Sequence, residues 1–450
     1  MGTATKTPAT IPVAGNSVPF LGHAVPLLRD PLGFLSSLPA YGSLVKLRLG
    51  PLPVVMVCDP GLTRQVLLDD RTFDMGGPVM DRARKLVGEG LGTCPRSKHR
   101  RQRRLCQPAF HRDRMPVYGE PMAASCTAVA DSWHDGQVID VTGAMSTLVM
   151  RVVAQTMFGT SLPRVSRDLA QDFRAVAQPA FWLMVMPPVL GRLPLPANRR
   201  FRQARDGMWD TVRDIIAARR LDGGDHADLL ASLLDAQDPE SDPEERALSD
   251  EEVAEQVVNI FAGSDAAGPA LAWALYLIAT HPEIEERLHA EVDEVLAGGP
   301  LTFAHLPELK LADRVISEAL RLYTPTWLGS RIVTADTDLG GYELPAKTMI
   351  GWSPYLIHRR PDLYDDPDRF DPDRWLGSRT DKEAYFPFGA GARKCIGNRF
   401  GTATAVLTLA AIASRWTLRP ADDQPLRPVV KTMLAPYGLR MRVTARGREA

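Results

Sequence analysis

The chain has 450 residues, of which 45% are hydrophobic and 7% aromatic, as in a packed globular protein rather than a disordered one. Its 53 lysines and arginines nearly balance 54 acidic residues, so its charge gives no reason to expect a nucleic-acid partner. Five cysteines without CxxC spacing and the lack of any apolar run of about 18 residues argue against disulfides, a zinc site and a membrane span. We expect a cytoplasmic protein whose first residues, 1–10, are disordered and carry no secretion signal.

The first 110 residues combine β-rich and basic segments. Residues 43–57 hold two short β-rich runs split by a Gly-Pro pair, which predicts a hairpin of a small sheet. Residues 73–94 are interrupted by glycines and lack a clear periodicity, so we expect a loop. Residues 99–110 open with a basic run in which His99 and Arg103 share one helical face, and this run is either a solvated helix or a binding face.

Residues 117–234 have a mostly helical pattern. Within them, residues 181–186 are apolar and end at prolines. This short segment fits either a lid over an apolar pocket or an ordinary core helix. At the other end of the chain, residues 429–443 predict a β-hairpin around Pro436 to Gly438.

Ser249 and Glu252 match a capping box, which predicts a helix from about residue 250 to about residue 280. At 1.5 Å per residue this helix would be about 45 Å long and would cross the whole protein. Gly263 and Pro269 are poor helix formers in its middle. Because proline has no N–H and clashes with the carbonyl four residues earlier, we expect the helix to open near Asp265.

Cysteine 395 lies in the string Phe388-Gly-x-Gly391-x-Arg393-x-Cys395-x-Gly397. A lone cysteine is most often a buried apolar residue. Here, however, neighbouring cations favour the metal-binding thiolate, and glycines let the backbone approach a flat ligand closely. The cations are Arg393, Lys394 and Arg399.

This string resembles the haem-ligand loop of the cytochrome P450 family, and further matching motifs extend back to His99. The resemblance implies one mainly α domain over residues 1–450 with a minor β-rich region. It places haem b between the long central helix and the loop of Cys395, whose thiolate is the axial iron ligand and favours O–O cleavage. The implied activity is that of a monooxygenase that inserts one atom of O₂ into an apolar substrate. Electrons would come from NAD(P)H through a ferredoxin and its reductase, because no redox domain is attached, and a monomer is expected.

The resemblance also assigns roles to individual residues. The haem contacts are Cys395, Phe388, Gly391 and, at the propionates, His99, Arg103, Arg331 and Arg393. A structural network that holds the ligand loop comprises Glu318, Arg321 and Arg374. The substrate contacts are Met80, Phe181, Phe261, Ala262, Thr326, Trp327, Leu328, Met433 and Leu434. Met80 and its neighbours Met75, Val79 and Leu86 either line the pocket or merely pack. The remaining arginines of the basic run, expected to face an acidic redox partner, are Arg100, Arg101 and Arg104.

Gly263 and Asp265 match the catalytic segment of the family. Ala266 does not match, because threonine is usual at this position. In the family the acid and the alcohol organise water and deliver protons. We expect water at the freed Asp265 carbonyl, or a substrate hydroxyl, to replace the alcohol. The missing threonine hydroxyl also leaves open peroxide-driven or rearrangement chemistry, although Asp265 argues against this alternative. A haem-binding sensor or carrier is the non-enzymatic alternative.

The predicted substrate contacts are mostly apolar, which suits a hydrocarbon-like skeleton. The Arg/Ala-rich composition and residues 193–201 resemble streptomycete members of the family that oxidise sesquiterpenes. A terpenoid of secondary metabolism is therefore the expected substrate.

Overall fold

The computed structural model describes residues 10–159, 172–173, 175–176, 179, 191, 193–222, 224, 226–377, 384–422 and 426–447. These residues are mainly helical with small sheets, which confirms the predicted fold class. The α-helices are α1 (Ala24–Arg29), α2 (Pro31–Ser37), α3 (Pro60–Leu68), α4 (Pro78–Val87), α5 (Arg96–Cys106), α6 (Met115–Asp131), α7 (Val141–Phe158), α8 (Pro196–Asp222), α9 (Leu229–Leu234), α10 (Asp250–Ser264), α11 (Ala267–Ala279), α12 (Pro282–Leu296), α13 (Lys310–Leu322), α14 (Pro354–Ile357) and α15 (Asn398–Ala413).

The strands form one five-stranded sheet, one three-stranded sheet and two hairpins. They are β1 (Leu44–Leu49), β2 (Leu52–Val57), β3 (Phe73–Asp74), β4 (Val138–Asp140), β5 (Gly329–Val333), β6 (Thr337–Leu339), β7 (Tyr342–Leu344), β8 (Met349–Trp352), β9 (Trp416–Pro420), β10 (Val429–Val430), β11 (Leu434–Ala435) and β12 (Arg440–Ala445). The large sheet has the order β1-β2-β8-β5-β3, and the three-stranded sheet has the order β4-β12-β9. The antiparallel pair β1 and β2 confirms the predicted N-terminal hairpin.

The expected loop over residues 73–94 is wrong, because this stretch contains β3 and the helix α4. The glycines that seemed to interrupt it lie at the ends of the helix. Gly77 precedes α4 with φ of 87° and Gly88 follows it with φ of 77°, conformations that favour glycine. The apolar residues Val79, Met80, Ala83, Leu86 and Val87 do recur at helical spacing within this ten-residue helix, but the glycines at its ends favoured a loop.

The C-terminal hairpin exists, but its turn is not the predicted one. Strands β10 and β11 pair around residues 431–433, where the amide of Lys431 donates to the carbonyl of Met433 at 3.1 Å. Pro436 to Gly438 forms a separate turn, in which the Pro436 carbonyl accepts from Leu439 at 3.1 Å and from the Thr142 hydroxyl at 2.9 Å. This second turn directs β12 into the other sheet.

The predicted capping box starts the central helix. The Ser249 hydroxyl accepts from the Glu252 amide at 3.2 Å, and the Glu252 carboxylate accepts from the Ser249 amide at 2.9 Å. The helix ends at Thr280 as expected, yet it is divided into α10 and α11 by a break at residues 265–266. Pro269 explains the break, because it cannot donate to the carbonyl four residues before it.

The core of the protein lies around α11, which is almost completely buried and packs against α7, α13 and α15. Within the part of the chain that the structure describes, no helix is both long and apolar enough to cross a bilayer. The central helix therefore runs through the protein interior, with its break near the middle.

Candidate functional site

The loop that carries Cys395 is held by its own backbone. The Cys395 amide donates to the Phe388 carbonyl at 2.9 Å, and the Lys394 amide donates to the Gly391 carbonyl at 3.1 Å. Gly391 has φ of 67°, and a Cβ there would lie 2.5 Å from the carbonyl oxygen of Leu67, at the end of α3. This glycine is therefore required by the close approach of α3, and the loop is fixed to the body of the protein.

The Cys395 side chain is accessible to solvent on one side and otherwise enclosed by protein. This enclosure raises the pKa of the thiol, although the Gly397 amide and the charges of Arg103 and Lys394 oppose the effect. The sequence predicted that neighbouring cations favour the thiolate. Lys394 does so, but burial has the larger effect. A bound cation would stabilise the thiolate further, as metals do for cysteine ligands.

Four polar residues from three distant parts of the sequence lie close together beside this loop. His99 is buried, and its pKa is lowered to about 3 by burial and by the charges of Arg393, Arg103 and Arg331. Arg331 is also buried, and burial together with Arg393 lowers its pKa to about 10. Arg103 approaches the loop directly, donating to the Lys394 carbonyl at 2.7 Å. The structure thus brings together the four residues that were predicted to bind propionates.

Two of these residues keep unused hydrogen-bonding atoms. His99 Nδ1 and Arg393 Nε are buried and have no hydrogen-bond partner among the described residues. Buried polar atoms without partners are rare in proteins, so these atoms indicate a ligand that supplies acceptors. Haem fits this set of donors, because it carries carboxylates and would lie beside an accessible cysteine.

Asp74 belongs to this cluster, but the sequence analysis missed it. Arg393 donates to the Asp74 carboxylate at 2.9 Å and to the Cys94 carbonyl at 2.8 Å. The Asp74 carboxylate also accepts from the Arg96 amide at 3.0 Å. Its position in an apparent loop gave no signal that it meets a residue so far along the chain.

The Glu318 carboxylate and the Arg321 guanidinium are fully buried and pair through two hydrogen bonds of 2.8 and 2.9 Å. Arg374 reaches the same carboxylate at 3.4 Å, so the three predicted network residues do meet. The indole of Trp375 donates to Glu318 at 3.0 Å, a partner that was not predicted. Arg321 further donates to the His358 carbonyl at 2.8 Å, while the Phe386 amide donates to His358 Nε2 at 3.1 Å. The network therefore extends to Phe386, two residues before the string that carries Cys395.

The break in the central helix lies beside open space. Residues 262–267, which include Ala262 and Ala266, all keep some accessible surface, and Gly263 is exposed, with no other atom within 4 Å of a Cβ built on it. By contrast, Phe261 is fully buried and stacks on Phe158 at a centroid distance of 5.9 Å. The structure therefore places the Phe261 ring in the packed core, while the residues that follow it keep accessible surface.

Asp265 lies within this accessible stretch. Burial and the charge of Asp265 both raise the pKa of Tyr437, so the turn of residues 436–438 lies near this carboxylate. The Ser264 hydroxyl donates to the Phe261 carbonyl of its own helix at 2.7 Å. Ser264 is therefore already engaged and is a poor substitute for the missing threonine at position 266.

The segment after α13 lies against the C-terminal hairpin. The Trp327 indole donates to the Lys431 carbonyl at 3.1 Å, and the Leu434 amide donates to the Pro325 carbonyl at 2.9 Å. Trp327 and Leu434 are buried, and Thr326 is exposed. Among the other predicted substrate contacts, the partly exposed ones are Met80, Leu328 and Met433. Phe181 and the predicted lid of residues 181–186 lie outside the described residues.

Two of the three arginines expected to face a redox partner instead form ion pairs within the protein. Arg101 pairs with Glu252 at 2.6 Å, and Arg104 pairs with Asp238 at 2.7 Å. Only Arg100 of the three is exposed without such a pair in the described part of the chain. Acidic residues distant in sequence therefore already pair with Arg101 and Arg104, and the expectation that these arginines face a redox partner stays a prediction.

Comparison with known proteins agrees with this geometry. A model of the cytochrome P450 family matches residues 12–441. The chain is 44% identical to pentalenene oxygenase of Streptomyces avermitilis, covering 96% of this chain and 97% of that protein. It is 43% identical to cyclooctat-9-en-7-ol 5-monooxygenase of Streptomyces melanosporofaciens, covering 94% and 92%. The crystal structure of the cytochrome P450DA heme domain superposes with a TM-score of 0.88 at 26% identity, covering 98% of both chains. The chain belongs to the cytochrome P450 family and is a haem-dependent monooxygenase.

Proposed function

We propose that this monooxygenase inserts oxygen into a terpenoid of secondary metabolism. The accessible stretch at the helix break supports this, because it offers alanine and glycine surface with Asp265 as its charged side chain. Relatives that share 43–44% identity over nearly the whole chain are named for pentalenene, a sesquiterpene hydrocarbon, and for a cyclic alkene alcohol. An apolar ring system fits such a surface, since it needs contact area rather than polar partners.

In this proposal the Cys395 thiolate would bind the haem iron. The propionates are held by His99, Arg103, Arg331 and Arg393, whose buried donors are suited to two carboxylates. Bound haem supplies the activation of O₂ and the transfer of one oxygen atom. The buried Glu318 network keeps the cysteine loop in position beneath it.

The chain itself controls space and protons on the other side. Gly263 and Ala266 leave room for a carbon skeleton close to the reacting centre. Pro269 has no N–H to donate within the helix, so the helix is broken at residues 265–266, and this break is the site that we propose for a water molecule. We propose that this water, with the Asp265 carboxylate as proton source, replaces the threonine hydroxyl. A hydroxyl on the substrate would serve equally.

We propose that NAD(P)H supplies electrons through a ferredoxin and its reductase. The test is turnover of the purified holoenzyme with a surrogate ferredoxin, its reductase, NADPH and a panel of cyclic terpene hydrocarbons and alcohols. We expect a product whose mass is 16 higher, labelled when ¹⁸O₂ is used. Product from hydrogen peroxide alone would instead favour peroxide-driven chemistry. Failure of every terpene, with oxidation of another apolar compound, would contradict the substrate class alone.

A further inference from the structure

The helix α4 is weakly attached to the rest of the protein by its own side chains. It lies between two glycines in left-handed conformations, and none of its residues is buried. Its apolar residues Val79, Met80 and Leu86 are all partly exposed. Arg84 of α4 donates to the Met75 carbonyl at 2.7 Å and to the Thr93 carbonyl at 2.9 Å, but both carbonyls belong to the segments that flank the helix. Few buried contacts mean low local stability, so groups from other elements must hold this helix and its flanking segments in place.

Those groups are three side chains of the central helix. Glu255 accepts from the Glu89 amide at 2.8 Å, and Gln256 accepts from the Leu91 amide at 2.9 Å. The third, Asn259, accepts from the Gly92 amide at 3.1 Å. Three amides of the segment that follows α4 are thus bound by one face of α10.

Asn259 differs from the other two because it also binds the helix itself. Its amide nitrogen donates to the Val87 carbonyl at 2.7 Å, which satisfies the last carbonyl of α4. The preceding carbonyl, of Leu86, accepts from the Trp209 indole of α8 at 3.3 Å. One side chain therefore joins the end of α4 and the segment after it to the central helix.

The approach is close enough to require glycine. A Cβ on Gly90 would lie 2.6 Å from Asn259 Nδ2, and one on Gly88 would lie 2.9 Å from the Trp209 ring. Asn259 is also four residues before Gly263, so the two share one face of α10. The attachment point of α4 is thus one helical turn from the open space beside the helix break.

We propose that Asn259 is a positioning residue that fixes the C-terminal end of α4 beside the accessible residues of the helix break, and that it thereby controls how fast apolar ligands enter and leave there. Without the hydrogen bonds of Asn259 to Val87, Gly92 and Thr93, α4 and residues 88–93 would move away from α10 more often. Ligands would then dissociate faster, although the haem ligand and its network would be unchanged. The inference depends on the cytochrome P450 site and not on the terpenoid substrate.

The test compares the holoenzyme variants Asn259→Ala, Asn259→Asp and Asn16→Asp. Asn259→Asp removes the donor to Val87 but keeps an acceptor for Gly92, whereas Asn16 is exposed, so its change to Asp is the matched control. The probe is 4-phenylimidazole, an apolar azole that binds haem iron. We expect Asn259→Ala to release it at least about tenfold faster and to exchange the amides of Glu89, Leu91 and Gly92 at least about tenfold faster. Asn259→Asp should fall between it and the wild type.

Haem content and the carbon monoxide difference spectrum should stay normal in all variants, which separates positioning from general loss of structure. Faster amide exchange with unchanged azole release would overturn the proposal, because the attachment would then have no effect on ligands. Unchanged exchange would overturn it as well. If Asn259→Ala loses haem, the Asn259→Asp variant decides the same question, because it changes only the donor to Val87.

Discussion

The two sides of the candidate haem site are built in opposite ways. On the cysteine side, Glu318 and Arg321 are fully buried and every step from α13 to the loop is a short hydrogen bond. On the opposite side, the helix is broken, Gly263 faces open space and α4 is attached mainly at one end. The ligand side is therefore fixed by contacts between buried side chains. The substrate side, by contrast, depends on the small residues Gly263 and Ala266 and on the N–H that Pro269 lacks.

The variant with the largest expected effect is Glu318→Ala, on the cysteine side. Removing one member of a buried ion pair leaves the other unpaired and costs about 3–5 kcal/mol in the free energy of unfolding. We expect little haem-loaded protein, measured as haem absorbance per protein. The matched control is Arg287→Ala, which removes a pair with Asp373 of equal length, 2.8 Å, at the surface. It should cost at most about 1 kcal/mol. Normal haem content in Glu318→Ala would contradict a structural role for the network.

Asp265→Asn tests the open side. Loss of a positioned acid typically lowers a rate by a factor of about 10² or more. We expect product formation to fall by about that factor while azole binding and haem content stay unchanged. The measurement is product formed per NADPH consumed, with Ala266→Thr as the companion variant. If Ala266→Thr alters neither turnover nor this ratio, the missing threonine has no functional consequence.

Two glycines, Gly263 and Gly268, lie on either side of the helix break and should respond differently to an added methyl group. A Cβ on Gly268 would lie 2.8 Å from the Ser146 Cα on α7, whereas a Cβ on Gly263 meets nothing within 4 Å. We expect Gly268→Ala to lower the free energy of unfolding by about 1–3 kcal/mol, since the backbone must shift. Gly263→Ala should leave stability equal or higher by up to about 1 kcal/mol, yet weaken substrate binding. Urea unfolding measures the stability, and substrate titration measures the binding. Equal losses of stability in the two variants would show that a Cβ at residue 263 meets neighbouring atoms as one at residue 268 does.

A pH-dependent effect on the cysteine side concerns His358, which connects the network to the loop. Burial and the neighbouring Arg321 lower the pKa of His358 from 6.5 to about 3. Between these values the unfolded state binds the proton and the folded state does not, so stability is lost as pH falls. The slope is about 1.4 kcal/mol per pH unit. In His358→Gln, an amide oxygen can still accept from Phe386, and the pH dependence of urea unfolding between about pH 6 and 4 should become shallower by this amount. An unchanged slope would mean that His358 is protonated in the folded protein.

The sequence predicted those parts of the site that are local in the chain. The cysteine loop, the capping box and the pair Glu318 and Arg321 each lie within a few residues, so residue types and spacing were sufficient. Pro269 likewise predicted the helix break from its missing N–H alone.

The remaining parts depend on contacts between distant segments, which no local pattern encodes. Asp74 and Arg393 are 319 residues apart, and Asn259 meets Val87 across 172 residues. Trp375 was missed for the same reason, because it is an ordinary residue after Arg374. The helix α4 was missed for a different reason, because the glycines at its ends favoured a loop. Phe261 was expected near substrate, but its direction on the helix is set by Phe158.

The internal ion pairs of the basic helix α5 have a consequence for electron delivery. Arg101 and Arg104 already share their charge with Glu252 and Asp238, so they present less positive potential to a partner than the sequence implies. Salt weakens association in proportion to the number of charges that a partner must meet. Electron transfer to this protein should therefore tolerate rising ionic strength better than its run of arginines would lead one to expect.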